Sequence, residues 1–211
     1  MKQLKNSRLL IATIFGIYAA LGSLPHGIGL MLQGHGKPES IVLDTWTVGP
    51  IAKNLGGEPG MTIIPNFWIS GILTIILSVV MILWITLFIN KKYGGLVYII
   101  LTIAVLLTGG GFAPPTISLL AGIATVTSHM SNTWLYKPDS AAGRLLARIW
   151  PWVFGFSAII GGFVFIIGII LSALNLLNAP NIFVYGFFYL IIAIIYLNIT
   201  GPAYDHYKFK I

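Results

Sequence analysis

An apolar run from Leu96 to Val126 is broken near its centre by Thr108-Gly-Gly-Gly-Phe-Ala-Pro-Pro115. Whether that run is one membrane crossing or two sets the topology of the whole chain. As one helix it would hold three consecutive glycines and two prolines in its interior. Each such glycine costs about 1 kcal/mol and each proline about 3 kcal/mol. As two helices every residue has a place. Gly109, Gly110 and Gly111 end the first, because glycine takes the left-handed conformation common at helix C-termini. Pro114 and Pro115 open the second, where a missing N–H is harmless.

Length agrees with two. A helix needs roughly 20 apolar residues to cross a bilayer core, and the segment from 93 to 136 is about twice that. Four other apolar runs stand clear, at 9–24, 67–89, 150–174 and 182–199. With 94–108 and 114–134 they predict an all-α, polytopic membrane bundle of six transmembrane helices, a single domain over 1–211. Five crossings are the alternative, if the glycines only kink one helix. Composition demands lipid as the solvent. Only 8% of the residues are charged, against about 25% in a soluble domain, too few to cover a water-facing surface.

The basic residues test the count independently, because lysine and arginine concentrate on the cytoplasmic side. With six crossings the N-terminus, Lys91, Lys92, the loop 135–149 with Lys137, Arg144 and Arg148, and the C-terminus all fall inside. Of the 12 lysines and arginines only Lys37 and Lys53 are then outside. With five crossings the basic groups split between the two faces. The prediction is therefore N-in and C-in. The net charge of +7 is explained by orientation. No basic stripe interleaves with aromatics, so no nucleic-acid partner is expected. Ala20-Leu-Gly22 has small residues at signal-cleavage spacing, but apolar character continues past it, which favours an uncleaved first helix.

One loop is long. Residues 25–66 form the predicted outer connection between the first two crossings, too apolar for a disordered tail. Glu39–Val48 and Pro50–Leu55 are each read as a short helix, the second closed by Gly56-Gly57, lying flat as a cap over the bundle. On the inner side Asp139 or Ser140 would cap a helix carrying Arg144 and Arg148 on one face. Small residues recur at four-residue spacing as Ser118 and Gly122, Ala158 and Gly162, Gly168 and Ser172. Such pairs let helices approach closely, within the bundle or against another membrane subunit.

The six spans contain no Asp, Glu, Lys or Arg, whereas proton-coupled carriers and voltage sensors generally need ionisable groups at membrane depth. The chain has no cysteine, so disulfides and thiolate chemistry are excluded. His26, His35, Glu39 and Asp44 all sit in the outer segment and are weak candidates to hold a metal ion, though their spacing matches no metal motif. His129 belongs near the inner end of the fourth crossing. In the six-helix plan it lies opposite His26, too far to share a haem. No cofactor is predicted. No GxSxG or HExxH pattern is present.

Neutral helices under an apolar cap suggest a pocket, and the first reading is a protein that binds or transports a small, largely apolar ligand. His26, His35, Asp44, Trp46 and His129 are the candidates to orient it. The size and six-helix plan resemble those of substrate-binding subunits of vitamin uptake systems, a likeness of architecture that assigns no residue a role. The second reading is a non-catalytic accessory subunit packing by its small-residue faces. The third is an enzyme acting on lipid at the outer face, with outer carboxylates and histidines as its site.

Overall fold

The computed structural model describes residues 6–126 and 140–209. They fold as α1 (Ser7–Leu32), β1 (Val42–Asp44), α2 (Gly49–Leu55), β2 (Pro59–Met61), α3 (Phe67–Phe88), α4 (Gly94–Leu107), α5 (Ala113–Val126), α6 (Ala141–Gly162), a π-helical turn (Phe163–Ile167), α7 (Gly168–Ala173) and α8 (Pro180–Phe209). The π turn joins α6 and α7 into one rod. Four helical stretches are long and apolar enough to cross a membrane: Ser7–Leu32, Phe67–Phe88, Ala141–Ala173 and Pro180–Lys208. α4 and the described part of α5 are shorter. Large apolar side chains such as Leu83, Leu87, Trp152, Ile159, Tyr185 and Ile192 point outward, a surface that suits lipid and not water.

α1 stands at the centre of the bundle, in contact with α3, α5, α6 and α8. Half of its apolar window is buried (50%), against 28%, 28% and 22% in the other long spans. One face of α1 joins Ile11 and Phe15 to Ile117, Trp150, Leu190, Ile194 and Leu197. Ala20, on another face, joins Met81, Ile85, Tyr98 and Val105. α1 crosses α3 where two glycines meet: a Cβ on Gly27 would lie 2.9 Å from the Gly71 carbonyl oxygen. Loss of both side chains is what permits that contact. Asn6 caps α1, its Oδ1 accepting from the Arg8 and Leu9 amides at 3.0 and 3.2 Å. At the same end the Asp205 carboxylate, near the end of α8, accepts from the Ser7 amide and hydroxyl.

Two of the small-residue pairs, Ser118 with Gly122 and Gly168 with Ser172, have members packed within the bundle. Gly122 packs on the Tyr98 ring, and Gly168 on Phe183. The Ser118 hydroxyl donates to the Tyr98 phenol at 2.7 Å and lies 2.8 Å from Thr102 Oγ1, which holds α5 against α4. Ser140 caps α6, its Oγ accepting from the Gly143 amide at 3.0 Å.

Three local expectations are corrected. The first helix does not stop near Leu24: α1 continues through Pro25 to Leu32, so the connection to α3 begins at Gln33. Proline removes one intrahelical bond, but close packing of Gly27 on α3 and of Gly29 on Trp46 extends beyond it. Glu39–Val48 is not helical. Its centre is a strand paired antiparallel with β2, Val42 opposite Met61 and Asp44 opposite Pro59. The β-branched Ile41, Val42 and Thr45 suit that pairing, and its partner lies too far downstream for local pattern to reveal. The last two apolar helices also outrun 150–174 and 182–199, starting at Ala141 and ending at Phe209. The last part of the predicted 114–134 helix and the start of the inner loop lie outside the described residues.

The cap does not simply lie flat. Beyond β2 it descends onto the α4–α5 turn. Thr62 forms an antiparallel bridge with Thr108, the Ile63 amide donates to the Leu107 carbonyl, and the Phe112 amide donates to Pro59. The Thr108 carbonyl, an orphan acceptor at the end of α4, receives the hydroxyls of Ser70 at 2.6 Å and Thr74 at 2.5 Å from α3. α2 docks at the end of α7, where Asn54 Nδ2 donates to the Ser172 carbonyl at 2.8 Å.

Candidate functional site

Between the cap and the helices is a cavity of about 230 Å³. Its walls come from α1 (Gly22), the cap (Leu55 and Pro59), the start of α5 (Phe112, Ala113 and Pro114), the π turn (Val164 and Phe165) and α8 (Phe183 and Phe187). A π turn is wider than an α turn and frequently marks functional sites; here its two buried residues, Val164 and Phe165, face the cavity. Pro180 and Val184 line the cavity while remaining exposed on the outside of the bundle. The cavity therefore opens sideways, between the cap and the first turns of α8.

Among the described residues that line it, His26 and Glu58 are the ionisable ones. His26 is 4% exposed. Its Nδ1 lies 2.8 Å from the Thr45 hydroxyl, and that hydroxyl donates to the Glu58 carbonyl at 2.7 Å. A hydroxyl has one proton to give. With that proton on Glu58, Thr45 can only accept from His26, so Nδ1 carries the imidazole proton and Nε2 presents a lone pair. His26 Nε2 is 3.8 Å from Glu58 Oε2, beyond hydrogen-bond length.

Glu58 is held there by an uncommon backbone. Its φ is +51°, in the left-handed region that L-residues enter at a cost of about 1 kcal/mol or more. It follows Gly56 and Gly57, which have φ of +79° and +89°. Gly56 closes α2 as its left-handed C-cap. The chain thus reverses through three left-handed residues, the last of which carries a carboxyl group to the cavity. Burial pushes the Glu58 carboxyl up to about 7, so near neutral pH it is divided between a neutral, hydrogen-donating form and an anion.

The residues singled out from sequence disperse. His26 reaches the cavity. His35 is exposed and its ring leans on Trp68 at 5.1 Å. Glu39 and Asp44 are exposed, and Trp46 packs on Gly29 instead of lining the cavity. His129 lies outside the described residues. Among the described residues no three His, Cys, Asp or Glu side chains gather closely enough to hold a metal ion. Gly109 and Gly111 form the turn between α4 and α5 with φ of +103° and +80°. The Gly110 amide returns to the Val105 carbonyl at 2.9 Å, and Pro114 and Pro115 lie in the first turn of α5. Sequence reasoning missed Glu58 as a site residue; two preceding glycines, which allow a sharp reversal, were the available signal. Compared with known proteins, the chain matches no family model, no curated protein and no solved structure.

Proposed function

We propose that this chain is a membrane protein that binds or carries a small, largely apolar ligand in the cavity beneath its cap. The observation that carries this reading is the cavity itself: about 230 Å³, walled almost entirely by aromatic and aliphatic side chains, with one polar end. An apolar cavity of roughly 150 Å³ admits benzene, so this one has room for a ring with a short tail. The sideways mouth at Pro180 and Val184 suits a ligand arriving from lipid. Among the described residues that line it there is no serine, threonine, cysteine, lysine or tyrosine, and its polar groups are confined to His26 and Glu58 at one end, a lining that suits binding of an apolar molecule.

The same reading takes α4 and α5 as the third and fourth of six crossings. Support comes from the α4–α5 turn, which meets the cap, and from the lower ends of α3 and α4, which meet where Trp84 Nε1 donates to the Gly94 carbonyl at 2.9 Å. The contact of Ser7 with Asp205 brings the start of α1 and the end of α8 to one face, as an even number of crossings requires. The basic residues assign that face to the cytoplasm.

The test is equilibrium dialysis of the protein in phosphatidylcholine nanodiscs against propylcyclohexane and its alcohol and ketone derivatives, with empty nanodiscs as reference. Saturable excess uptake is expected for at least one, and Val184→Trp, which blocks the mouth, should remove it. Uptake equal to that of empty nanodiscs for every probe would sink the reading.

A further inference from the structure

The cavity's polar end has a hydrogen-bonding pattern of its own. Nδ1 of His26 is committed to Thr45, because the Thr45 hydroxyl spends its proton on the Glu58 carbonyl. Nε2 is therefore left as an acceptor, on a side chain that lines the cavity. Oε2 of Glu58 stands 3.8 Å away, too far to bond to it. The two groups flank a gap that neither closes alone. A single oxygen placed beside both could bridge them.

We infer that this end of the cavity selects a ligand carrying one hydroxyl group over the corresponding ketone, the hydroxyl donating to His26 Nε2 and accepting from the Glu58 carboxyl. The inference rests on the binding reading above. A hydroxyl is both donor and acceptor, which is what a bare imidazole nitrogen and a neutral carboxyl together require. Burial keeps a large share of Glu58 neutral near pH 7, so the donor is present. A ketone can only accept. Bound in the same pose, it would leave Nε2 desolvated and unpaired, a loss of roughly tenfold or more in affinity. A carboxylate ligand would add an anion beside Glu58 and is disfavoured for that reason. The left-handed backbone of Glu58 supports a dedicated role, since strain of this kind persists where the surrounding structure holds it and often marks a binding site.

The experiment compares 4-propylcyclohexanol with 4-propylcyclohexanone, molecules of nearly the same shape, by the same nanodisc dialysis. The alcohol is expected to bind at least about tenfold tighter. His26→Phe should bring the two to similar affinity. Glu58→Gln, whose amide still donates, should keep the preference. The wild-type comparison stands alone if a variant fails to fold. Saturable binding of both compounds with equal affinity, or tighter binding of the ketone, overturns the hydroxyl inference and leaves the cavity reading in place. Absence of saturable binding by either compound and by propylcyclohexane overturns both.

Discussion

Gly111 stands directly against the His26 ring: a Cβ at Gly111 would lie 2.5 Å from both Cε1 and Nε2. The glycine-rich turn thus does more than end α4. It clears the space in which the imidazole is held. Gly111→Ala should therefore act twice, through its positive φ and through displacement of His26. Gly34 separates the two effects, because its φ is +79° but nothing lies within 4 Å of its Cβ position. Gly34→Ala is expected to cost about 1 kcal/mol, from backbone strain alone. Gly111→Ala should cost about 1–3 kcal/mol more, and it should abolish any preference for alcohol over ketone. Chemical unfolding and ligand dialysis of both variants check this. Equal losses of stability with unchanged ligand binding would refute the packing argument.

Glu58 gives the stability of this chain a pH dependence of definite sign. Its carboxyl sits near 7 in the fold against 4.5 as a free side chain. The folded state therefore holds the proton more tightly than the unfolded state. The stability so contributed is complete below about 4.5, declines between there and about 7, and is lost above. A shift of this size corresponds to a change on the order of 3 kcal/mol. Glu58→Gln should flatten the unfolding midpoint across that window, with the largest gain over wild type above pH 7. A wild-type midpoint that rises with pH through the same window, or a profile that Glu58→Gln leaves unchanged, would rule Glu58 out as its source.

Asp205 anchors the beginning of α1 from the far end of the chain. Its two carboxylate oxygens accept from the Ser7 amide at 3.0 and 3.1 Å, and Oδ2 also accepts from the Ser7 hydroxyl at 2.9 Å. An anion at a helix N-terminus is stabilised by the helix dipole as well as by these bonds. Asp205→Ala removes both and is expected to cost about 1–2 kcal/mol. The effect should be local. Hydrogen exchange is expected to quicken at the first turn of α1 and to stay unchanged in the middle of α3. Uniform quickening would point to a general loss of packing, and no change to a contact without weight.

Much of the bundle is legible because membrane helices must satisfy their own backbone and so appear as uncharged apolar runs. The α4–α5 turn was legible from glycine and proline chemistry, and the α6 start from Asp139 and Ser140 as alternative N-caps, of which Ser140 makes the bond. The cap was not. Pro25 signals a helix end, yet α1 passes it, because the contact of Gly27 with Gly71 is invisible to local pattern. Val42–Asp44 becomes a strand only through its partners Pro59–Met61. The site was half legible. His26 stands out as a polar residue at the edge of an apolar run. Glu58 reaches it only by the left-handed reversal through Gly56 and Gly57, and the Thr45 bond that fixes the imidazole is made across the folded cap.

The number of crossings has a direct test, because the chain contains no cysteine. α4 has 14 residues, about 21 Å of helix, short of the roughly 30 Å hydrocarbon core. Its upper end nevertheless meets the cap, which comes down to it at Thr62 and Thr108. Single cysteines at Lys37, Lys91 and Leu145, all exposed positions, report the side of each connection. A membrane-impermeant thiol reagent would be applied to intact and then to permeabilised cells. With six crossings and the basic loops inside, Lys37→Cys labels in intact cells, while Lys91→Cys and Leu145→Cys label only after permeabilisation. With five, Leu145→Cys would label together with Lys37→Cys. That outcome would require α4 and α5 to continue across the membrane in one direction, against the antiparallel pairing in which the Tyr98 phenol donates to the Ser118 carbonyl at 3.0 Å. It would remove the α4–α5 turn from the cap side, and with it the wall that Phe112, Ala113 and Pro114 give to the cavity.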